Sequence, residues 1–137
     1  MQVAAGSLTP TSLAAREADV VLVVDDDPAL AEGLSELLEE EGYIVATARD
    51  GRDALEQLHA GLRPSVILLD LMMPRMDGWD FRHEQMKDAE LRDIPTIVIS
   101  AAGFSATSVK AQLGNIEFVS KPLDAQTLLD AVKRGCE

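Results

Sequence analysis

The run Val20-Val21-Leu22-Val23-Val24-Asp25-Asp26-Asp27-Pro28 sets five apolar residues directly against three aspartates and a proline. A continuous apolar run of this length reads as a strand covered on both faces, the mark of a parallel sheet between helices. Pro28 suits the first turn of a helix, and Asp26 or Asp27 suits its cap. The strand therefore ends at a charged edge, where a helix begins. Leu30, Leu34, Leu37 and Leu38 then repeat at helical spacing until Gly42 stops the pattern.

The same alternation continues outward. Tyr43 to Ala48 reads as a second strand, and residues 50–60 as a helix with Ala54, Leu55 and Leu58 on one side. Val66 to Leu69 is another fully apolar run, and it too meets an aspartate, Asp70. A loop with Pro74 and Gly78 follows. Residues 79–89 read as a helix whose thin apolar face is carried by Phe81 and Met86. Pro95 opens the strand Thr96 to Ile99, which ends at Ser100. Residues 105–113 form a weak helical pattern with Val109 and Leu113 inward. Ile116 to Val119 is a short fifth strand before Ser120-Lys121-Pro122. Residues 124–134 close the pattern as a helix with Leu128, Leu129 and Val132 on its stripe. Ahead of all this, residues 1–18 are rich in Ala, Ser, Thr and Gly and read as a flexible leader. A helical turn is expected near Ser12 to Glu17.

A chain of 137 residues, 47% of them hydrophobic, suits one domain with a real core. Twelve basic residues against 24 acidic ones give a net charge of -12, which argues against nucleic acid or an anionic membrane as partner. Outside the aspartate cluster the acidity reads as solubility. Cys136 is the one cysteine, so there is no disulfide framework, and it reads as an exposed thiol without a role. His59 and His83 fall in helical segments and read as surface residues, leaving no Cys/His set for zinc. No apolar run approaches the ~20 residues that span a bilayer. The N-terminus lacks a basic start followed by an apolar block, so it does not read as a signal peptide. The expected location is a reducing cytoplasm.

Five strands alternating with five helices imply a parallel sheet with helices on both faces. In such sheets ligands bind beyond the carboxyl ends of the strands, at the switch in strand order. Those ends carry Asp25 and Asp26, then Asp70, Ser100 and Lys121. The second strand, ending in Thr47-Ala48, delivers nothing polar of note. Carboxylates about 4 Å apart, at an effective dielectric of about 20, repel by about 4 kcal/mol per pair. Either a held proton or a cation must offset that. Oxygen ligands of this kind suit Mg²⁺. A carboxylate can also act as a nucleophile and form an acyl phosphate, with an ammonium and a hydroxyl neutralising the phosphoryl oxygens. Lys121 and Ser100 match those roles in type.

V-L-V-V-D-D-D-P, V-I-L-L-D-L-M-M-P-R-M-D-G, I-V-I-S-A and F-V-S-K-P, in that order and spacing, resemble the receiver domain of two-component response regulators. The resemblance covers nearly everything from Asp19 on, so residues 19–137 are expected to form the domain. It implies a flavodoxin-like, doubly wound α/β fold, a five-stranded parallel sheet of order 2-1-3-4-5 with five helices. It implies Asp70 as phosphoacceptor and Asp25 and Asp26 as the acidic pair for Mg²⁺, with Asp26 the more direct ligand. Asp70 joins them on the metal, and Met72 contributes its backbone carbonyl. Lys121 would pair with the phosphoryl group, across a cis bond to Pro122. Ser100 would move to bond that group, and Phe118 stands at the switch aromatic. Met72 and Ala102 would flank the site and tune hydrolysis. Asp27, the third aspartate, is expected to cap the helix. The segment between Ser100 and Lys121 is slightly shortened and has Leu113 to Glu117 in place of the family's usual Ala-Gly-Ala before the fifth strand.

The resemblance further implies a phosphoprotein that catalyses only its own phosphorylation and dephosphorylation. Its donor would be a histidine kinase or histidine phosphotransfer protein, and its output a downstream protein effector. A stand-alone, monomeric or weakly dimeric receiver is the expectation, with a piece of a longer hybrid kinase or regulator as the alternative. An unphosphorylated scaffold and a phosphate sink are further alternatives. From the enzyme class, Asp25-Asp26-Asp27 also holds the D-x-D spacing of haloacid-dehalogenase-like phosphatases. There Asp25 would be nucleophile and Asp27 acid, but Pro28-Ala29 follows and the later acidic motif is missing.

Overall fold

The computed structural model describes residues 19–73, 75–100 and 105–137. The leader, with the helical turn expected in it, and Ala102 lie outside the described residues. Strands β1 (Val20–Val24), β2 (Ile44–Ala48), β3 (Val66–Asp70), β4 (Thr96–Ser100) and β5 (Glu117–Ser120) form one sheet. They are all parallel, in the order β2-β1-β3-β4-β5. Helices α1 (Pro28–Glu40), α2 (Gly51–His59), α3 (Gly78–Lys87), α4 (Ala106–Leu113) and α5 (Ala125–Cys136) connect and follow them. The sheet order, the five helices and the doubly wound class are those expected. Element ends move by one or two residues, within ordinary fraying.

Successive strand residues face opposite ways, and both faces are covered. Val21, Val23, Leu68, Ile97 and Ile99 pack with Leu34 and Leu38 of α1 and Leu128 and Val132 of α5. Leu22, Val24, Ile67, Leu69 and Val98 pack with Ala54 and Leu58 of α2, Phe81 of α3 and Val109 of α4. This two-sided burial is why the central strands read as unbroken apolar runs. β2 and β3 lie on opposite sides of β1, so the order of the sheet reverses between β1 and β3. That reversal opens the crevice where their carboxyl ends emerge.

Each of these five helices starts on a side-chain cap. Asp27, Asp50, Asp77, Ser105 and Asp124 each accept from a backbone amide in the first turn. Such caps contribute about 1 kcal/mol each. Much of the aspartate content is thus structural, and Asp27 is indeed the cap of α1.

Two sequence readings need correction. Met86 does not carry the apolar face of α3, because it is exposed. Phe81 is buried as expected, but its companions are polar: Arg82 and Gln85 are inside. The Arg82 guanidinium donates to the Leu113 carbonyl at 2.9 Å, the Gln85 Oε1 at 2.9 Å, the Thr96 hydroxyl at 3.3 Å and the Asn115 carbonyl at 3.2 Å. Gln85 in turn donates to the carbonyls of Leu91 and Ile94. Among the described residues no carboxylate reaches Arg82, and burial pulls its pKa below the usual arginine value. A thin apolar stripe is enough for α3 because this network replaces it. Cys136 is the second correction: it is half-buried, and burial together with nearby Asp19 pushes its thiol up to about 11.

Arg82→Ala leaves several buried acceptors unpaired, which costs more than the bonds contribute when made. The expected loss of stability is about 2–3 kcal/mol, read from the urea midpoint. Arg82→Lys recovers only part of it, because an ammonium lacks the planar fork. An unchanged midpoint in Arg82→Ala would refute the load assigned to this residue.

Candidate functional site

Register places the site. Val24 of β1 lies level with Leu69 of β3, so the next residues, Asp25 and Asp70, leave adjacent strands side by side. Asp70 lies level with Ile99, and Ser100 lies level with Ser120. Ser100 is therefore one step past Asp70, with Lys121 just beyond it on β5. Asp25 and Asp70 are only 4% and 6% exposed, whereas Asp26 faces solvent. One carboxylate oxygen from each of the three lies within 4.8 Å of the others.

Each group is held by its neighbours. The Asp25 amide donates to the Ala48 carbonyl at 3.0 Å, and its carboxylate accepts from the Asp27 amide at 2.9 Å. The Asp70 carboxylate accepts from the Met72 amide at 3.3 Å, and the Lys121 ammonium stands 3.8 Å from it. The Lys121 amide donates to the Ser100 carbonyl at 2.7 Å, and the Lys121–Pro122 bond is cis. Ser100 is buried, and among the described residues its hydroxyl is the one buried side-chain atom without a hydrogen-bond partner. A buried hydroxyl left unpaired is costly. Phe118 is half-buried against the α2–α3–α4 side of the core, and the Met72 side chain is 60% exposed.

Burial is the main force on the carboxylates. It drives Asp25 up from 3.8 to about 6; the Asp27 amide opposes it, the Asp70 charge adds to it, Lys121 opposes and Asp26 adds. Asp70 is raised too, again foremost by burial, with the Met72 amide and Lys121 pulling the other way. Such a set holds protons or binds a hard cation through oxygen.

The residues that the sequence brings to one edge lie together there, and Asp50 joins them from outside that set. Lying just past β2, it is almost fully buried and pairs with Arg75 in the loop after Asp70. The signal available was Asp50-Gly51 at a helix start, which is weak alone.

The profile of the response regulator receiver domain matches residues 21–133. The chain belongs to that family. This receiver is 33% identical over 114 residues to protein PilH of Pseudomonas aeruginosa, covering 82% of this chain and 93% of PilH. It is 42% identical over 107 residues to a protein-glutamate methylesterase/protein-glutamine glutaminase of Symbiobacterium thermophilum, covering 74% of this chain but 28% of that protein. Some receiver-containing proteins are thus enzymes as a whole. The chain spans about half or less of the length of several other curated relatives. Among solved structures, the signal receiver domain of a signal transduction histidine kinase from Syntrophus aciditrophicus aligns with a TM-score of 0.79 at 34% identity, covering 87% of this chain and 90% of that one. Receivers act in two-component signalling and as a family bind Mg²⁺ at an acidic site, which the Asp25, Asp26 and Asp70 cluster fits in donor type and spacing.

The raised Asp25 gives a pH dependence of stability without metal. The native state holds its proton more tightly than the unfolded chain, between 3.8 and about 6. Its contribution is therefore full below about pH 4 and is lost as pH rises through about 6. Asp25→Asn keeps an acceptor for the Asp27 amide and removes the titration. In chelator, the variant is expected to be more stable than wild type at pH 7, with the gap closing toward pH 4. Urea midpoints across that range check this, and a pH-independent gap would count against it.

Proposed function

We propose that Asp70 accepts a phosphoryl group from the phosphohistidine of a histidine kinase or histidine phosphotransfer protein. The observation that carries this reading is the cluster itself: three converging carboxylate oxygens beside Lys121 and a Ser100 hydroxyl without a partner among the described residues. An Asp70 oxygen attacks phosphorus while the phosphorus–nitrogen bond breaks. The electron pair leaves on the imidazole nitrogen, which then takes a proton. Lys121 meets charge on the phosphoryl oxygens, and the Ser100 hydroxyl donates to another. Asp25, Asp26, Asp70 and the Met72 carbonyl are the groups that would hold Mg²⁺. When bound, that ion offsets carboxylate repulsion and withdraws charge from the phosphoryl oxygens.

The new charge at the strand ends shifts an equilibrium between two conformers. Movement of Ser100 toward the phosphoryl group, and repacking of Phe118, carry it to α4, β5 and α5. A protein partner reads that face. The proposed location is the cytoplasm, and among the described residues no helix is long and apolar enough to cross a membrane. Against the phosphatase alternative stands the use of one Asp27 carboxylate oxygen as the cap of α1, where it accepts from the Ala29 and Leu30 amides.

Intact mass after incubation with Mg²⁺ and a small acyl-phosphate donor tests the reading. Wild type gains one phosphoryl group; Asp70→Asn, or wild type without Mg²⁺, gains none. Lys121→Met slows the gain by about 10²-fold. A phosphoryl group that persists in Asp70→Asn, or a wild type that takes neither phosphoryl nor beryllofluoride, would overturn it. Turnover of a phosphate ester lost in Asp25→Asn but kept in Asp70→Asn would favour the phosphatase.

A further inference from the structure

We propose that Asp50 and Arg75 form a clasp that fixes the loop after Asp70 to α2 and so sets the Met72 backbone at the metal site. The inference rests on the phosphoacceptor reading and adds two positioning residues to it.

The loop leaves Asp70 through Leu71 and Met72 and returns at Gly78. Its two ends are tied, since the Gly78 amide donates to the Leu71 carbonyl at 3.0 Å. Gly78 is required there: a Cβ would stand 2.5 Å from the Asp70 carbonyl oxygen and 2.7 Å from the Leu71 Cα. Between the ends, the Met73 and Met76 side chains pack against the core, while those of Met72 and Arg75 face solvent. Arg75 nevertheless adopts a φ of +62°, in the left-handed region that non-glycine residues rarely enter. Such a conformation persists only where surrounding contacts impose it.

Those contacts come from the first residues of α2. The Arg75 Nε donates to Asp50 Oδ2 at 2.7 Å, and its Nη2 donates to the same oxygen. One residue on, the Met76 carbonyl accepts from the Gly51 amide at 2.9 Å. A Cβ on Gly51 would lie 2.7 Å from Met76 Cγ and 2.9 Å from that carbonyl oxygen, so the two segments are pressed together. Asp50 is 1% exposed, and its other oxygen accepts from the Asp53 amide at 2.8 Å. Burial alone would raise its pKa, but the Asp53 amide and the Arg75 guanidinium outweigh it and hold the carboxyl below its usual value. A buried carboxylate needs such a cation. α2 is anchored in the core by Ala54 and Leu58. The loop therefore takes its position from a rigid helix.

Charge and position make opposite forecasts here. Removing a cation near a Mg²⁺ site should tighten Mg²⁺ on Coulomb grounds. Releasing the loop should loosen it, because a carbonyl displaced by a fraction of an ångström is a poor ligand for an ion that demands near-octahedral geometry. The clasp forecasts the second result.

The test compares wild type, Arg75→Ala and Arg75→Lys. Hydrogen exchange of the Gly51 amide is read without metal, and Mg²⁺ affinity by calorimetry at pH 8. Arg75→Ala is expected to speed Gly51 exchange at least tenfold and to weaken Mg²⁺ about five- to tenfold. Arg75→Lys, which keeps the charge but not the fork, is expected to fall between. It also serves if Arg75→Ala does not fold. Unchanged or tighter Mg²⁺ binding in both variants would overturn the inference, whatever Gly51 does, and so would unchanged Gly51 exchange. A wild type that binds no Mg²⁺ would overturn the phosphoacceptor reading, and this inference with it.

Discussion

Carboxylate oxygens of Asp25, Asp26 and Asp70 stand within 4.8 Å of one another, and two of those side chains are nearly withdrawn from water. Like charges so placed push apart, and burial strengthens the push by weakening dielectric screening. Beyond a held proton or a nearby cation such as Lys121, a stiff support keeps them together. β1 and β3 supply it, hydrogen-bonded side by side and sealed by apolar side chains on both faces. The core and the candidate site are therefore one problem: the apolar runs that form the sheet also hold the charges gathered at its edge.

That edge is where every helix begins, because parallel strands and their crossovers share one polarity. Helix N-termini offer unpaired amides there, and the sequence meets them with aspartate four times and serine once. The acidity of the chain thus divides into clustered carboxylates, capping carboxylates and solvated ones such as Glu39, Glu40 and Glu41. Asp25, Asp26 and Asp27 are neighbours in sequence, yet one is buried, one faces solvent and one caps a helix.

Most of the fold was legible because its signals are local. Val20–Val24 and Val66–Asp70 announce two-sided burial, and Asp27-Pro28 announces a helix start. The site residues were legible because each sits at or next to a strand end, where an apolar run stops. What escaped notice depends on distant pairing. Arg82 and Gln85 look like surface residues on a weak helix until Thr96, Leu113 and Asn115 arrive from later in the chain. Asp50 carries little signal of its own in the sequence, since its partner Arg75 comes 25 residues later. Periodicity registers apolar faces and is blind to a buried face made of hydrogen bonds. Met86 fits the apolar spacing of α3 for the same reason, yet its side chain is exposed.

The Arg82 network also has a mechanical meaning. Its guanidinium grips the carbonyls of Leu113 and Asn115, on either side of the Gly114 cap that ends α4. The rest of α4 is mostly exposed, with Val109 and Leu113 its buried residues. The helix is thus bolted at one end and lightly seated along its length. Any displacement relative to α3 must either break the bolt or turn about it. A short rod pinned this way behaves as a lever, moving least at Leu113 and most at its opposite end, which follows the strand that carries Ser100.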